Sequence, residues 1–318
     1  MKNPLSEELA DVLTLLLKRD FLSSLGRRLQ KLNYRTIELL KGWGKFRVII
    51  YGEHSPDWMT ALGPQGPVWR LLPKVAEVII VPGTAQLPLT KFRKRLRRTV
   101  IIPLMEQHTR HCPRTARTLM PDHQTLEILA DKLAFAGYVR EHQLEHYCPK
   151  FFATPEEAEF PCVLKRPDLN AGNGIEMVSS PTHLRELLVQ ELWQENKWLL
   201  QAYVPGGKEY VTHCVCKGGK ILWHCSFLYE HDGSSVIRRW DTRVTTRAVP
   251  TDPRHLSQFQ ELLAPISYDG PCNIDYKIST AGDLLVFEIN PRFGGSLMPP
   301  EHIGYLRGAL AVILENAT

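Results

Sequence analysis

The stretch CNIDYKISTAGDLLVFEINPRFGGS, residues 272–296, decides the fold prediction. It predicts a β-hairpin in which Asp275 lies on the first strand, residues 281–283 form the turn, and an apolar second strand follows. Because side chains on a strand alternate between its two faces, Glu288 and Asn290 share one face, and Asp275 can lie opposite them on the neighbouring strand. Oxygen-bearing side chains are therefore expected to meet at one end of this sheet.

The chemistry of this hairpin favours a metal site over a core. Two carboxylates that face each other on one sheet repel unless a cation lies between them, and Mg²⁺ prefers a few carboxylates, water and phosphate oxygens. Arg292 and the segment Gly294–Ser296 follow at once and suit an anionic substrate. The alternative is an ordinary acidic face exposed to solvent. We expect Mg²⁺ held against phosphates, and hence an enzyme.

The composition describes a globular chain of 318 residues, 43% hydrophobic and 23% charged, for which two or three domains are expected. The net charge of +5 permits anionic substrates but does not require a nucleic-acid partner. The seven cysteines are odd in number and irregularly spaced, so a reducing, cytoplasmic location is expected rather than a disulfide framework. The apolar run at residues 15–17 is too short for a membrane span and lacks the order of a signal peptide.

The N-terminal third of the chain predicts helices and then a small parallel sheet. Residues 4–41 have apolar side chains at helical spacing, and short apolar strands are predicted at 46–51, 75–81 and 99–102. Between the last two strands, residues 91–98 carry six basic side chains in eight. Such a run is either a solvated helix face or a docking patch for an acidic partner, such as a nucleic acid or a carrier protein.

The remaining chain predicts a mixed region followed by mostly antiparallel strands. Asp122 can cap a helix that runs to about Ala136 and carries Lys132. Further helices are predicted at residues 182–195, 253–263 and 302–315. Strands are predicted at residues 160–165, 175–178, 198–204, 209–216, 220–228 and 236–248.

Two segments of this region suit a nucleotide. Lys165 ends a strand and precedes a glycine-containing loop, residues 168–174, whose backbone N–H groups can curl around an anion. The alternative for this loop is an ordinary turn. The segment 201–209 joins two strands through a tight turn whose backbone could pair with an adenine ring, and its Glu209 could accept from ribose hydroxyls. The alternative for this segment is a loop that crosses between domains.

A zinc site among His213, Cys214, Cys216, His224 and Cys225 is rejected. Cys214 and Cys216 point to one face of their strand and His213 points to the other. Buried cysteine most often serves packing, and a zinc site favours clearer CxxC pairs.

Several separated motifs occur in one order over residues 100–318, and with them the chain resembles the ATP-grasp superfamily of carboxylate–amine ligases and their relatives. The resemblance implies two phosphate-binding lysines, Lys132 in LADKLAFAGY and Lys165 in CVLKRPD. It implies nucleotide contacts from Asn170, Gly172, Gly174, Gln201, Tyr203, Val204 and Glu209. It implies Asp275, Glu288 and Asn290 as metal ligands, and Arg292, Lys165 and Arg243 as catalytic residues.

The resemblance further implies phosphoryl transfer from ATP to a carboxylate, followed by attack of an amine on the acyl phosphate. The cofactors would be ATP and two Mg²⁺ ions, with Mn²⁺ as an alternative metal. The partners would be a small-molecule carboxylate and amine, such as amino acids, with a carrier protein as a further candidate and no membrane or nucleic acid. Arg238 and Arg243 are candidates for substrate contacts, against the alternative of surface ion pairs.

The predicted fold class is α/β, turning to α+β in the C-terminal half, with an ATP-grasp fold behind a short Rossmann-like domain. The expected domains are a helical N-terminal extension (1–44), a short α/β domain (45–115), a nucleotide-binding subdomain (116–203) and a C-terminal subdomain with the metal site (204–318). Ala202 stands where the family's hinge often has a glutamate, so adenine contacts there would rest on the backbone. Two other functions stay open: a non-catalytic nucleotide-binding or carrier-docking protein, and a relative that forms carboxyphosphate for carboxylation.

Overall fold

The computed structural model describes residues 45–72, 74–83, 98–169, 172–194, 197–231, 237, 242 and 244–318. Some of the predicted features lie outside these ranges. They are the helices at 4–41, the basic run apart from Arg98, Asn170, Arg238, Arg243 and most of residues 236–243. What was inferred for them stays a prediction.

A three-stranded parallel sheet opens the described chain. β1 (Phe46–Tyr51) lies between β2 (Val75–Val81) and β3 (Thr99–Pro103) and pairs in parallel with both. The predicted small parallel sheet is therefore confirmed, and most of its central strand is buried, as its continuous apolar sequence requires. Helices α1 (Pro56–Leu62) and α2 (Glu106–His111) begin after the carboxyl ends of β1 and β3, so both start at one edge of the sheet.

The helix predicted to begin after Asp122 is interrupted. Asp122 does cap α3 (His123–Ala130), but that helix ends at Asp131, which has the extended angles φ −119° and ψ 123°. The Asp131 side chain accepts from two backbone N–H groups and so caps α4 (Lys132–Glu141). The break makes Lys132 the first residue of a new helix.

A four-stranded antiparallel sheet follows, in the order β4-β7-β5-β6. Its strands are β4 (Phe151–Phe152), β5 (Cys162–Lys165), β6 (Ile175–Val178) and β7 (Leu199–Ala202). The helix predicted at 182–195 is two shorter ones, α5 (Pro181–Leu188) and α6 (Glu191–Gln194). A hydrophobic cluster of its own, which includes Leu164 and Trp193, holds this sheet and its helices together.

A five-stranded antiparallel sheet carries the hairpin, in the order β10-β9-β8-β11-β12. Its strands are β8 (Lys208–Lys217), β9 (Lys220–Glu230), β10 (Thr245–Val249), β11 (Gly270–Ile278) and β12 (Leu284–Asn290). The hairpin prediction is confirmed, because Asp275 pairs with Glu288 across β11 and β12. Two more helices belong to this part of the chain, α7 (Pro253–Leu263) and α8 (Ile303–Asn316).

A β-bulge in β12 shapes one face of the hairpin. Asp275 pairs with Glu288, but the next residue of β11, Tyr276, pairs with Val286, so Phe287 is an extra residue. Val286 is buried in the core, whereas Phe287 and Glu288 are both partly exposed. Because of the bulge, the consecutive side chains of Phe287 and Glu288 both lie outside the buried core.

The N-terminal sheet and the five-stranded sheet share one hydrophobic core. Val48 of β1, Phe227 of β9 and Leu310 of α8 belong to a single buried cluster. A second cluster packs α4 and α7 against the five-stranded sheet and contains Cys214 and Cys216. The seven cysteines are free and buried. In the part of the chain that the structure describes, no helix is both long and apolar enough to cross a membrane.

Candidate active site

The oxygen-bearing side chains of the hairpin meet as the alternation predicts. The Asn290 nitrogen Nδ2 lies 3.1 Å from Asp275 Oδ2 and 3.1 Å from Glu288 Oε1, and donates to both. Asn273, on the same face of β11, donates from Nδ2 to Asp275 Oδ2 at 3.1 Å. Two carboxylates therefore converge on amide donors, which reduce their mutual repulsion.

These residues fit a divalent cation. The positive end of the Asn290 amide lies between the two carboxylates, which is the polarity that a bound cation would supply. Asp275, Glu288 and the amide oxygen of Asn290 would offer the oxygen ligands that Mg²⁺ prefers. Among the described residues no group of three His, Cys, Asp or Glu side chains is arranged for a metal. The amide would therefore be needed as the third protein ligand.

Lys132 connects this face with the glycine-containing loop. Its Nζ lies 3.3 Å from Glu288 Oε2 and donates to the carbonyl of Leu169 at 2.8 Å. The lysine side chain is only 10% exposed, so its charge is weakly screened by solvent. Such a shielded ammonium group suits the phosphate contact that the resemblance implies for Lys132.

Lys165, the last residue of β5, is buried beside the strand that leads into the hinge. Its Nζ donates to Gln201 Oε1 at 2.6 Å and lies 5.0 Å from the centre of the Phe287 ring. Burial lowers the pKa of Lys165 to about 8, and its attraction to Glu288 only partly offsets that effect. The predicted residues Lys165 and Gln201 are thus brought into direct contact, next to the bulge.

Both buried lysines, Lys132 and Lys165, stabilise the ionised form of Glu288. Burial raises its pKa, but Lys132, the hydrogen bond from Asn290 and then Lys165 together hold the pKa below its ordinary value. The Glu288 side chain is 32% exposed, so one side of it stays open to a ligand. The cluster therefore offers ammonium groups for phosphate and carboxylates for a cation at one place.

Arg292 follows the hairpin and reaches the N-terminal sheet. Its Nη2 donates to Asn290 Oδ1 at 3.3 Å, and its Nε donates to Glu106 Oε1 at 2.8 Å. Glu106 is the first residue of α2, and its side chain is 13% exposed. Sequence analysis missed Glu106, because only the tertiary fold brings together two positions 186 residues apart.

Histidines surround the segment that follows Arg292. Burial, and then the charges of Arg292 and His302, lower the pKa of His213 to about 3, so its imidazole is neutral. His213 Nε2 lies 2.6 Å from Ser296 Oγ. A Cβ added to Gly294 would lie 2.8 Å from His213 Cε1, so this glycine allows the close approach that brings the serine to the imidazole.

The hinge, residues 203–207, is fastened to the hairpin by a lysine that sequence analysis missed. Lys277 Nζ donates to the carbonyl of Gly206 at 2.8 Å and to that of Val204 at 3.1 Å. Lys277 lies two residues beyond a predicted metal ligand, so the alternation of the strand could have indicated it. The hinge also lines a cavity of about 200 Å³ together with Leu285 of β12.

The other predicted nucleotide contacts lie around this centre. Burial lowers the pKa of Lys277, and Glu209 on β8 is close enough to oppose that shift. The Tyr203 ring centre lies 5.9 Å from Lys277 Nζ. Gly172 and Gly174 have φ values of 77° and 62°, which suit both an anion-binding loop and an ordinary turn.

The predicted residues that the structure places in one connected cluster are Lys132, Lys165, Gln201, Asp275, Glu288, Asn290 and Arg292. Asn170 and Arg243 lie outside the described residues. The roles of all these residues in binding or catalysis stay predictions.

We expect nucleotide affinity to fall as the pH rises through about 8. The pKa of Lys165 is about 8, below the ordinary lysine value of 10.5, so its positive charge is present below pH 8 and is lost above it. The logarithm of the association constant for ADP should approach a slope of about −1 per pH unit above this point. Calorimetric titration with metal-free ADP across this range measures the slope. Lys165→Arg is the control, because arginine stays protonated; an equal inflection in that variant would rule out Lys165 as its source.

Comparison with known proteins establishes the fold of this chain but assigns it to no sequence family. The sequence matches no family model and no curated protein. The structure is similar to D-alanine–D-alanine ligase from Bacillus anthracis complexed with ATP, with 13% identity, a TM-score of 0.55 and coverage of 85% of this chain and 96% of that one. For L-amino acid ligase from Bacillus licheniformis the identity is 14%, the TM-score 0.54 and the coverage 85% and 74%. For N5-carboxyaminoimidazole synthetase from Staphylococcus aureus complexed with ADP the values are 15%, 0.56, 79% and 72%.

These three solved structures are ATP-grasp enzymes. At such low identity the likeness concerns the fold, and chemistry has to be argued from the site. The mixed α/β architecture confirms the predicted fold class. The described chain has the ATP-grasp fold.

Proposed function

We propose that this chain is an ATP-dependent ligase that activates a carboxylate as an acyl phosphate for attack by an amine. The observation that carries the proposal is the cluster in which two buried lysines of the predicted nucleotide-binding part meet the acids of the hairpin. Lys132 Nζ lies 3.3 Å from Glu288, and Lys165 Nζ lies 5.0 Å from the ring centre of the adjoining Phe287. We also propose that residues 116–203 bind the nucleotide and that residues 204–318 bind the metal.

On the nucleotide side, the chain's own groups supply charge and position. Phosphoryl transfer needs positioning and charge neutralisation more than covalent help. Lys132 and Lys165 would neutralise phosphate oxygens, and their burial strengthens that attraction. Asp275, Glu288 and Asn290 would hold Mg²⁺, proposed as two ions with Mn²⁺ as an alternative, and the metal would supply further neutralisation between phosphates.

On the substrate side, Arg292 is the proposed catalytic residue. A carboxylate oxygen would attack the terminal phosphorus of ATP, ADP would leave, and the amine would then attack the acyl carbon, lose a proton and expel phosphate. Arg292 would stabilise the negative charge on the carboxylate and the transferring group. Ser296, held by His213 at 2.6 Å, is a candidate contact for the substrate carboxylate.

Amino acids are the proposed substrate class. Two of the ligases that share the fold are named for D-alanine and L-amino acids, which carry both the carboxylate and the amine that the reaction needs. The proposed location is cytoplasmic, in line with the seven free cysteines.

The test is phosphate release from ATP and Mg²⁺ in the presence of pooled L- and D-amino acids, with mass spectrometry of the products. We expect one pool to stimulate release and to yield a condensation product. Asp275→Asn, which removes a proposed metal ligand, should abolish the stimulated release. A separate arm with bicarbonate tests the carboxylation alternative.

Two results would count against a ligase. No stimulation by any pool, with ADP still bound in a calorimeter, would favour the non-catalytic nucleotide-binding alternative. Stimulated release that survives Asp275→Asn would show that the hairpin is not the metal site.

A further inference from the structure

Lys277 is a buried cation that the proposed chemistry does not use. It lies on β11 and is only 5% exposed. Its ammonium group donates to the carbonyl oxygens of Val204 and Gly206, at 3.1 and 2.8 Å, and lies 5.9 Å from the centre of the Tyr203 ring. All three partners belong to the hinge, where the sequence predicts that the adenine ring of the nucleotide binds.

The lysine determines which polar groups the hinge offers to a ligand. Val204 and Gly206 carbonyls that already accept from an ammonium group are poor acceptors for a further N–H, and the positive charge repels such a donor. The backbone N–H of Val204, in contrast, has no hydrogen-bond partner within the residues that the structure describes. The hinge therefore presents the Val204 N–H as a donor, whereas the carbonyl oxygens of Val204 and Gly206 are already occupied by Lys277.

Where the Val204 N–H meets position 1 of the purine, adenine and guanine make opposite demands on the hinge, and the 6-amino donor of adenine needs an acceptor other than the two occupied carbonyls. The ring nitrogen N1 of adenine is an acceptor, which a backbone N–H can satisfy. The N1–H and 2-amino groups of guanine are donors, which need carbonyl oxygens. A buried donor that finds its acceptors occupied is strongly disfavoured, and binding sites use such mismatches for their largest discriminations.

We propose that Lys277 is a specificity-determining residue that makes the site select adenine over guanine nucleotides, by occupying the Val204 and Gly206 carbonyls. The inference rests on the proposed function, since it requires a nucleotide at the hinge. Lys277 acts through the hinge backbone and touches no reacting atom. A purely mechanical tie between hinge and hairpin would not require a charge, which is costly to bury.

The test compares the affinities for ADP and GDP by calorimetry in the natural chain and in Lys277→Met, which keeps the side-chain length but removes the charge and the donors. We expect the natural chain to prefer ADP by about 100-fold or more, and the variant to lose at least about tenfold of that preference through tighter GDP binding. Lys74→Met, at a side chain 59% exposed and outside the proposed site, is the matched control and should keep the preference.

The outcomes separate this inference from the proposed function. An unchanged ADP-to-GDP ratio in folded Lys277→Met, with both affinities lowered alike, would show a structural tie only and overturn the inference. Equal affinities for ADP and GDP in the natural chain would also overturn it, while the ligase proposal would stand. Binding of neither nucleotide would overturn the proposed function and the inference together. Should Lys277→Met not fold, Lys277→Leu carries the same comparison, because it too removes both the charge and the donors.

Discussion

Replacement of Glu288 by glutamine is expected to lower ATP turnover by about 10²–10³-fold, the size seen when one electrostatic group of an active site is removed. Glutamine keeps the shape of the side chain but removes the negative charge that faces Lys132 Nζ at 3.3 Å. It also removes the electrostatic attraction to Lys165, which partly offsets the lowering of the Lys165 pKa by burial. The two buried ammonium groups lose their shared counterion, and the proposed Mg²⁺ loses a carboxylate. Steady-state phosphate release measures the turnover.

A second measurement separates this effect from misfolding. At a pH of about 6, where Lys165 keeps its proton, metal-free ADP should bind Glu288→Gln at least as tightly as it binds the natural chain, because a carboxylate near the phosphates repels them. Glu159→Gln is the control and should leave turnover unchanged, since Glu159 is 70% exposed and pairs with the exposed Lys150. Turnover of Glu288→Gln close to the natural value would contradict the assignment of Glu288 to the metal site.

Replacement of Arg292 by methionine is expected to lower kcat by about 10²–10³-fold and to leave the KM for ATP nearly unchanged. The reason is that Arg292 contacts Glu106 and the proposed metal ligand Asn290 rather than the two lysines that are proposed to bind the nucleotide. The variant also leaves the shielded Glu106 carboxylate without its partner, at a cost of about 1–3 kcal/mol in unfolding free energy. Initial rates and urea unfolding measure the two effects.

The double variant Arg292→Met/Glu106→Gln distinguishes catalysis from stability. It should regain most of the unfolding free energy, because no charge is left unpaired, but none of the lost turnover. Arg254→Met, at a side chain 80% exposed, serves as the control for loss of an arginine. Recovery of turnover in the double variant would mean that Arg292 serves only to neutralise Glu106.

Part of the hairpin face could be predicted because it is encoded locally. The alternation of strand side chains places Glu288 and Asn290 on one face of their strand. Uninterrupted pairing beyond Tyr276 and Val286 would have set Asp275 opposite Phe287, and the bulge brings it opposite Glu288 instead. The same rule would extend to Asn273 and Lys277, which lie on that face of β11. Lys132 and Lys165 could be predicted as site residues only from the order of the motifs along the chain. A single lysine at the end of a helix or strand is ordinarily solvated, so neither position is informative alone.

Other parts of the site depend on contacts that no local pattern encodes. The helix break at Asp131 occurs in a sequence that favours continuous helix, and it depends on the aspartate accepting from the next turn. The bulge at Phe287 lies inside a continuous apolar strand that gives no sign of an extra residue. The ion pair between Arg292 and Glu106 depends on how two sheets pack, which periodicity does not describe.

The four hydrophobic clusters divide the described chain unequally, and this bears on which part can move. The N-terminal sheet and the five-stranded sheet share one buried cluster, whereas the four-stranded sheet has a cluster of its own. Closely packed cores move as rigid bodies, so we expect the four-stranded sheet to be the part that can move. Opening would carry Lys165 away from Glu288 while Arg292 and Glu106 stay in place. In the proposed ligase reaction, ADP would then leave through the opened side while the condensation product is still bound on the other.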